Sequence, residues 1–200
     1  MLSGGNEAET YYMMNSMFSE YSLDSIYAPD MSGLKKFLFI FDKFFSKKLP
    51  ALAAHFKAQE VSEHAWIGKW VLTLFINCLP NAVVIRIWDC IIVKGWRFMY
   101  RVALGILSRL KELLMDVDGI EIQSILNNLR NEGNALLPPI HVILAEARKI
   151  KISSKSLKKY EALYLSQFAE ESSNTKGKTL PVEAPESPIY TPPKYLTTIG

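Results

Sequence analysis

Helical periodicity with aromatic stripes constrains this chain more than any other feature. In "LKKFLFIFDKFFSKKLP", Leu34, Phe37, Leu38, Phe41, Phe44 and Phe45 recur at helical spacing, while Lys35, Lys36, Asp42, Lys43 and Lys47 fill most of the rest. Apolar residues at i, i+3, i+4 and i+7 describe a helix that lays one wide face on a core. The same period recurs almost to residue 168. Tyr11, Met14, Met17, Phe18 and Tyr21 follow it in the first segment. Trp66, Trp70, Leu74 and Cys78 recur every four residues in "VSEHAWIGKWVLTLFINCLP", which predicts one deeply buried helix. Punctuation agrees with the period. Pro29 and Gly33, Leu49-Pro50, Pro80, Gly95, Gly119, Gly133 and Pro138-Pro139 fall between the periodic runs, where helices start and stop. The expected fold is all-α.

The stretch "NAVVIRIWDCIIVKG" is the ambiguous one. Its β-branched content suits a strand. Its length, the opening Pro-Asn and the closing Lys-Gly favour a helix, with Gly95 as its stop. Inside this apolar run sit Arg86, Trp88 and Asp89. Arg86 and Asp89 are neighbours on a helix and form an ion pair. Such a helix is expected to bury Ile85, Trp88 and Ile92, with Arg86 as an internal brace.

Composition excludes several classes. Net charge is +3, from 23 basic and 20 acidic residues, short of a nucleic-acid signature. His55, His64 and His141 are far apart, and Cys78 and Cys90 form no C-x-x-C, so no metal site is expected. No phosphate-loop, dinucleotide or nucleophile-elbow motif occurs, and no cofactor is expected. The start "MLSGGNEAETYY" has neither the basic nor the apolar region of a secretory signal. "WVLTLFINCLPNAVVI" is shorter than the ~18–20 residues of a membrane span and contains Pro80. The basic run "RKIKISSKSLKK" reads as a solvated helix face or a contact for an acidic surface. From Ser172 onward the chain is rich in Pro, Ser, Thr and Lys without helical period, so residues 172–200 are expected to be disordered.

The order of these pieces resembles the C-terminal half of the TBC domain, the Rab GTPase-activating domain. "IYAPDMSGL" and "LPALAAHFKAQEV" come first. Trp70 with Leu72-Thr73-Leu74-Phe75, then Leu79-Pro80, Arg86-Ile87-Trp88-Asp89, Gly95 and the run Arg101 to Leu107 follow with the family's spacing. The resemblance covers about Glu7 to Leu129. It implies a multi-helix orthogonal array and a domain plan: residues 1–135 a partial TBC domain, 136–171 additional helices, 172–200 a tail. It implies that Trp70, Phe75, Pro80, Arg86, Trp88, Asp89 and Gly95 are a structural family signature. It also implies a Rab-type small GTPase as partner, and a cytoplasmic protein that meets endomembranes peripherally through that partner.

In this family, GTP hydrolysis is accelerated by an arginine of an I-x-x-D-x-x-R motif and a glutamine of a Y-x-Q motif, both in the N-terminal half. The arginine neutralises charge on the transferring phosphoryl group and the glutamine orients the attacking water. Neither motif occurs in these 200 residues. The resemblance therefore implies a regulator without catalytic residues of its own, either part of a GTPase activator, whether a short form or a truncated gene product, or a non-catalytic helical scaffold. A hydrolytic enzyme is the weakest alternative, since no nucleophile–base pair supports it.

Overall fold

In a computed structural model, residues 6–21, 23–130 and 136–175 are described. They form helices α1 (Glu7–Tyr21), α2 (Ser32–Lys48), α3 (Pro50–Ala58), α4 (Glu63–Leu72), α5 (Asn81–Lys94), α6 (Arg97–Met115), α7 (Gly119–Asn127), α8 (Ile140–Lys149) and α9 (Ser154–Thr175), with one 3-10 turn at Leu23–Ser25. No strand occurs among the described residues. The chain divides into two units, Met1–Ser166 and Gln167–Gly200. Of the second, only the part of α9 that ends at Thr175 is described.

Helix α6 is central to the first unit. It is buried from Phe98 to Leu107 apart from Arg101, and again at Leu110 and Leu114. It packs against α2, α3, α5 and α8. The approach of α8 depends on small residues. A Cβ at Gly105 would lie 3.1 Å from the Ala147 backbone nitrogen and 3.5 Å from the Ile143 carbonyl oxygen.

The phenylalanine stripe of α2 does what its period predicts. Leu34, Phe37, Leu38, Phe41, Phe44 and Phe45 are all buried. Phe37 stacks on Tyr100 of α6 with ring centroids 4.2 Å apart, and Phe41 meets Trp66 of α4 edge-on at 5.7 Å. Burying such side chains contributes ~1.5–3 kcal/mol each, so α2, α4 and α6 form the centre of the core. Helix α1 differs. Its Tyr11 and Met14 are exposed, while Phe18 lies partly against the core.

Helix boundaries follow local chemistry. Pro50 opens α3 at its first turn, where its missing N–H costs nothing. Asp118 caps α7, its carboxylate accepting from the Glu121 N–H at 2.9 Å. Ser62 stands at the N-cap of α4, but its hydroxyl makes no capping bond. Helix α9 continues to Thr175, four residues into the segment expected to be disordered; residues 176–200 and Gly133 lie outside the described residues.

One expected helix is cut short. The period Trp66, Trp70, Leu74, Cys78 predicts a continuous helix, yet α4 stops at Leu72. The Phe75 N–H bonds to the Trp70 carbonyl at 2.8 Å and the Leu74 N–H to the Val71 carbonyl at 3.1 Å. This is a Schellman closure. Leu74 and Phe75 take positive φ values of 48° and 68° without glycine. The contact that accompanies such a closure is present, with the Phe75 and Trp70 rings 5.7 Å apart. A buried aromatic contact thus outweighs the ~1–2 kcal/mol that a left-handed L-residue costs.

Candidate interaction face on α5

The turn after α4 carries α5 into position. Pro80 is the N-cap of α5, and its carbonyl accepts from the Val83 and Val84 N–H groups. The carbonyls at the end of α4 are met by side chains from far along the chain. The Tyr27 hydroxyl donates to the Leu72 carbonyl at 2.8 Å, and Trp88 Nε1 donates to the Leu74 carbonyl at 2.9 Å. Trp70, fully buried, donates from Nε1 to the Leu126 carbonyl at the end of α7, at 3.0 Å. The two signature tryptophans are thus indole donors to backbone carbonyls, Trp70 at the end of α7 and Trp88 in the turn that follows α4.

Helix α5 faces the core with Val84, Ile87 and Ile91, and half-buries Trp88. This corrects the expected face by one residue. Ile85 and Ile92 are 42% and 37% exposed, and Val93 is 81% exposed. The run is apolar on nearly every side, so periodicity alone does not choose its inner face. The Trp88 indole, held by Leu74, sets the rotation.

Arg86 is not a brace. Its Nη1 lies 3.7 Å from Asp89 Oδ2, and the two side chains are 69% and 42% exposed. An exposed pair at that distance contributes ~0–1 kcal/mol. Gly95 closes α5 with φ 77° and ψ 174°, an extended left-handed conformation essentially reserved for glycine. Of the seven signature residues, Trp70 and Phe75 are buried, while Pro80, Trp88 and Gly95 shape the turns at either end of α5. Arg86 and Asp89 stand on its outer face beside Ile85, Ile92 and Val93. That face offers apolar contact crossed by one ion pair. It carries no nucleophile.

The remaining titratable groups have other duties. His55 Nε2 is 3.1 Å from the Val117 carbonyl oxygen. Cys78 is buried, its thiol pushed up to about 12 by desolvation, which leaves it unreactive. Asp42, Ser46, Lys57 and Glu63 share a cavity of about 420 Å³ between α2, α3 and α4. Burial raises the Glu63 carboxyl to about 7, helped by the charge and hydrogen bond of Asp42 and opposed by Lys43. This pair sits on two helices 21 residues apart in sequence, and no sequence signal announces it. No group of three His, Cys, Asp or Glu side chains able to hold a metal ion occurs among the described residues. No helix among them is long and apolar enough to cross a membrane.

A family model described as the Rab-GTPase-TBC domain matches residues 1–115. The growth hormone-regulated TBC protein 1 of Mus musculus is 30% identical over 115 residues, 58% of this chain and 32% of the relative. TBC1 domain family member 14 of Homo sapiens is 26% identical over 151 residues, 76% of this chain and 21% of the relative. The Rab GTPase-activating protein eat-17 of Caenorhabditis elegans is 25% identical over 167 residues, 82% of this chain and 18% of the relative. The chain spans about a third or less of the length of these relatives.

Proposed function

Since the chain belongs to the Rab-GTPase-TBC domain family, we propose that it is the C-terminal portion of such a domain and engages a Rab-type GTPase without supplying catalytic residues. The observation that carries this reading is the missing pair of motifs. No Asp has an Ile three residues before it and an Arg three residues after it, and no Tyr is followed two residues later by Gln. Without the arginine and glutamine of those motifs, the chain lacks the pair by which the family neutralises the γ-phosphoryl charge and orients water. Arg86 does not substitute for the arginine, because it is paired with a carboxylate on an open helix face.

The outer face of α5 supports a binding role. Ile85, Ile92 and Val93 provide apolar area, and the Arg86–Asp89 pair gives that area orientation. The Rab partner brings the chain to an endomembrane as a cytoplasmic, peripheral protein. The test is binding of the purified chain to a panel of Rab GTPases loaded with a non-hydrolysable GTP analogue. Saturable binding that weakens in Ile92→Asp supports the proposal. Absence of binding across the panel contradicts it and favours the reading as a helical scaffold for other partners.

A further inference from the structure

The corner between α5 and α6 gathers positive charge and gives it no acidic partner. Lys94 ends α5, Arg97 begins α6 and Arg101 follows one turn later. All three, with Phe98, line a cavity of about 190 Å³ that no carboxylate lines. Among the described residues, none of the three joins an ion pair. Their contacts are neutral. Arg97 Nη1 donates to the Ser154 hydroxyl at 2.7 Å, and Arg101 Nη2 donates to the Ile152 carbonyl at 3.4 Å. Lys94 Nζ lies 5.3 Å from the centre of the Phe98 ring. Arg101 Nε is buried and donates to nothing.

Two costs follow. Like charges gathered at one recess repel, and a buried guanidinium N–H without an acceptor forfeits its hydration. The first turn of α6 holds no acidic residue, so the positive end of its dipole adds to the same field. An oxyanion in the recess offsets the repulsion and answers the positive end of the dipole. A larger cavity of about 370 Å³ shares Arg97 but is lined by Glu20 and Glu161 as well as Lys36 and Lys158, so its charges are largely offset. The smaller one is the anion-selective recess.

We propose that this corner binds a phosphate group, with Arg97 and Arg101 as guanidinium donors and Lys94 as the ammonium donor. Guanidinium forks match phosphate oxygens bidentately, and donors from two helices can reach different oxygens of one tetrahedral anion. The volume admits one phosphate group with a few waters. The phosphate comes either from solution or from the headgroup of a phosphomonoester lipid. The proposal is independent of the GTPase reading.

The experiment titrates inorganic phosphate into the full 200-residue chain by calorimetry, with chloride at equal ionic strength as reference. Saturable one-to-one binding is expected, together with a rise in melting midpoint that chloride does not give. Arg101→Gln should weaken binding about tenfold or more, the loss of a charge-assisted contact. Lys47→Gln, on α2 and outside the recess, should leave it unchanged. Should Arg101→Gln fail to fold, Lys94→Gln at the exposed end of α5 carries the same test. Binding that phosphate and chloride give equally, or that survives both substitutions, overturns the proposal. Cosedimentation with phosphatidylcholine vesicles, with and without phosphatidic acid, then assigns the source. Capture by phosphatidic acid that phosphate displaces supports a lipid headgroup, and phosphate binding without vesicle capture supports a soluble one. Absence of both overturns the site.

Discussion

Trp88 shows how a single side chain orients this fold. Its ring half-buries beside Ile87 and Ile91, while its N–H holds the Leu74 carbonyl in the turn that ends α4. Trp88→Phe keeps most of the apolar volume and removes the donor. It should cost ~1–3 kcal/mol, the penalty for an acceptor left without its partner, read by chemical denaturation. Arg86→Ala, two residues away, should change stability by less than about 0.5 kcal/mol, because its ion-pair partner among the described residues is an exposed carboxylate. Gly95→Ala should cost ~1–3 kcal/mol by forcing a side chain into a glycine-only conformation. Together these three order the signature residues by what each touches.

Glu63 gives a pH dependence at the same scale. Its folded carboxyl titrates near 7, above its ordinary value of 4.5. The folded protein therefore holds a proton that the unfolded chain releases. Stability from this group is fully present below about pH 4.5 and declines as pH rises through about 7. Glu63→Gln cannot ionise and still hydrogen-bonds Asp42. The variant should lose less melting midpoint than the parent between pH 5 and pH 8. Parallel melting curves across that range would contradict the account.

Among the elements, legibility followed periodicity and proline. Helices α2, α3 and α6 were readable because an amphipathic stripe or a proline start marks each of them in the sequence. The end of α4 was not. Leu74 and Phe75 adopt positive φ without a glycine or asparagine to signal it, and the every-fourth-residue pattern runs straight through the turn. The inner face of α5 was equally hidden, since Ile85 and Ile87 are equivalent to any periodicity argument. What separates them is a hydrogen bond between residues 14 apart. Where small residues set the approach of two helices, packing becomes testable. Gly105→Leu must push α8 away from α6 and should cost ~1–3 kcal/mol or more by overpacking, seen as a lowered thermal midpoint.

For the whole molecule, the helical class was legible from period and punctuation, and the family from the order of its blocks. The candidate face was legible only in its residue names. The sequence placed Arg86 and Asp89 together, but it cast Arg86 as a brace at the margin of a buried face rather than as part of an open surface. The Asp42–Glu63 pair and the cationic corner at Arg101 arise where helices meet, which periodicity does not report. The proposed function joins these scales: a TBC-family chain that engages a GTPase without the two finger motifs, neither of which occurs among its 200 positions. Single-turnover hydrolysis by GTP-loaded Rab GTPases, with and without the purified chain, tests it most directly. The account predicts hydrolysis at each GTPase's intrinsic rate. Stimulation of any one of them would contradict it.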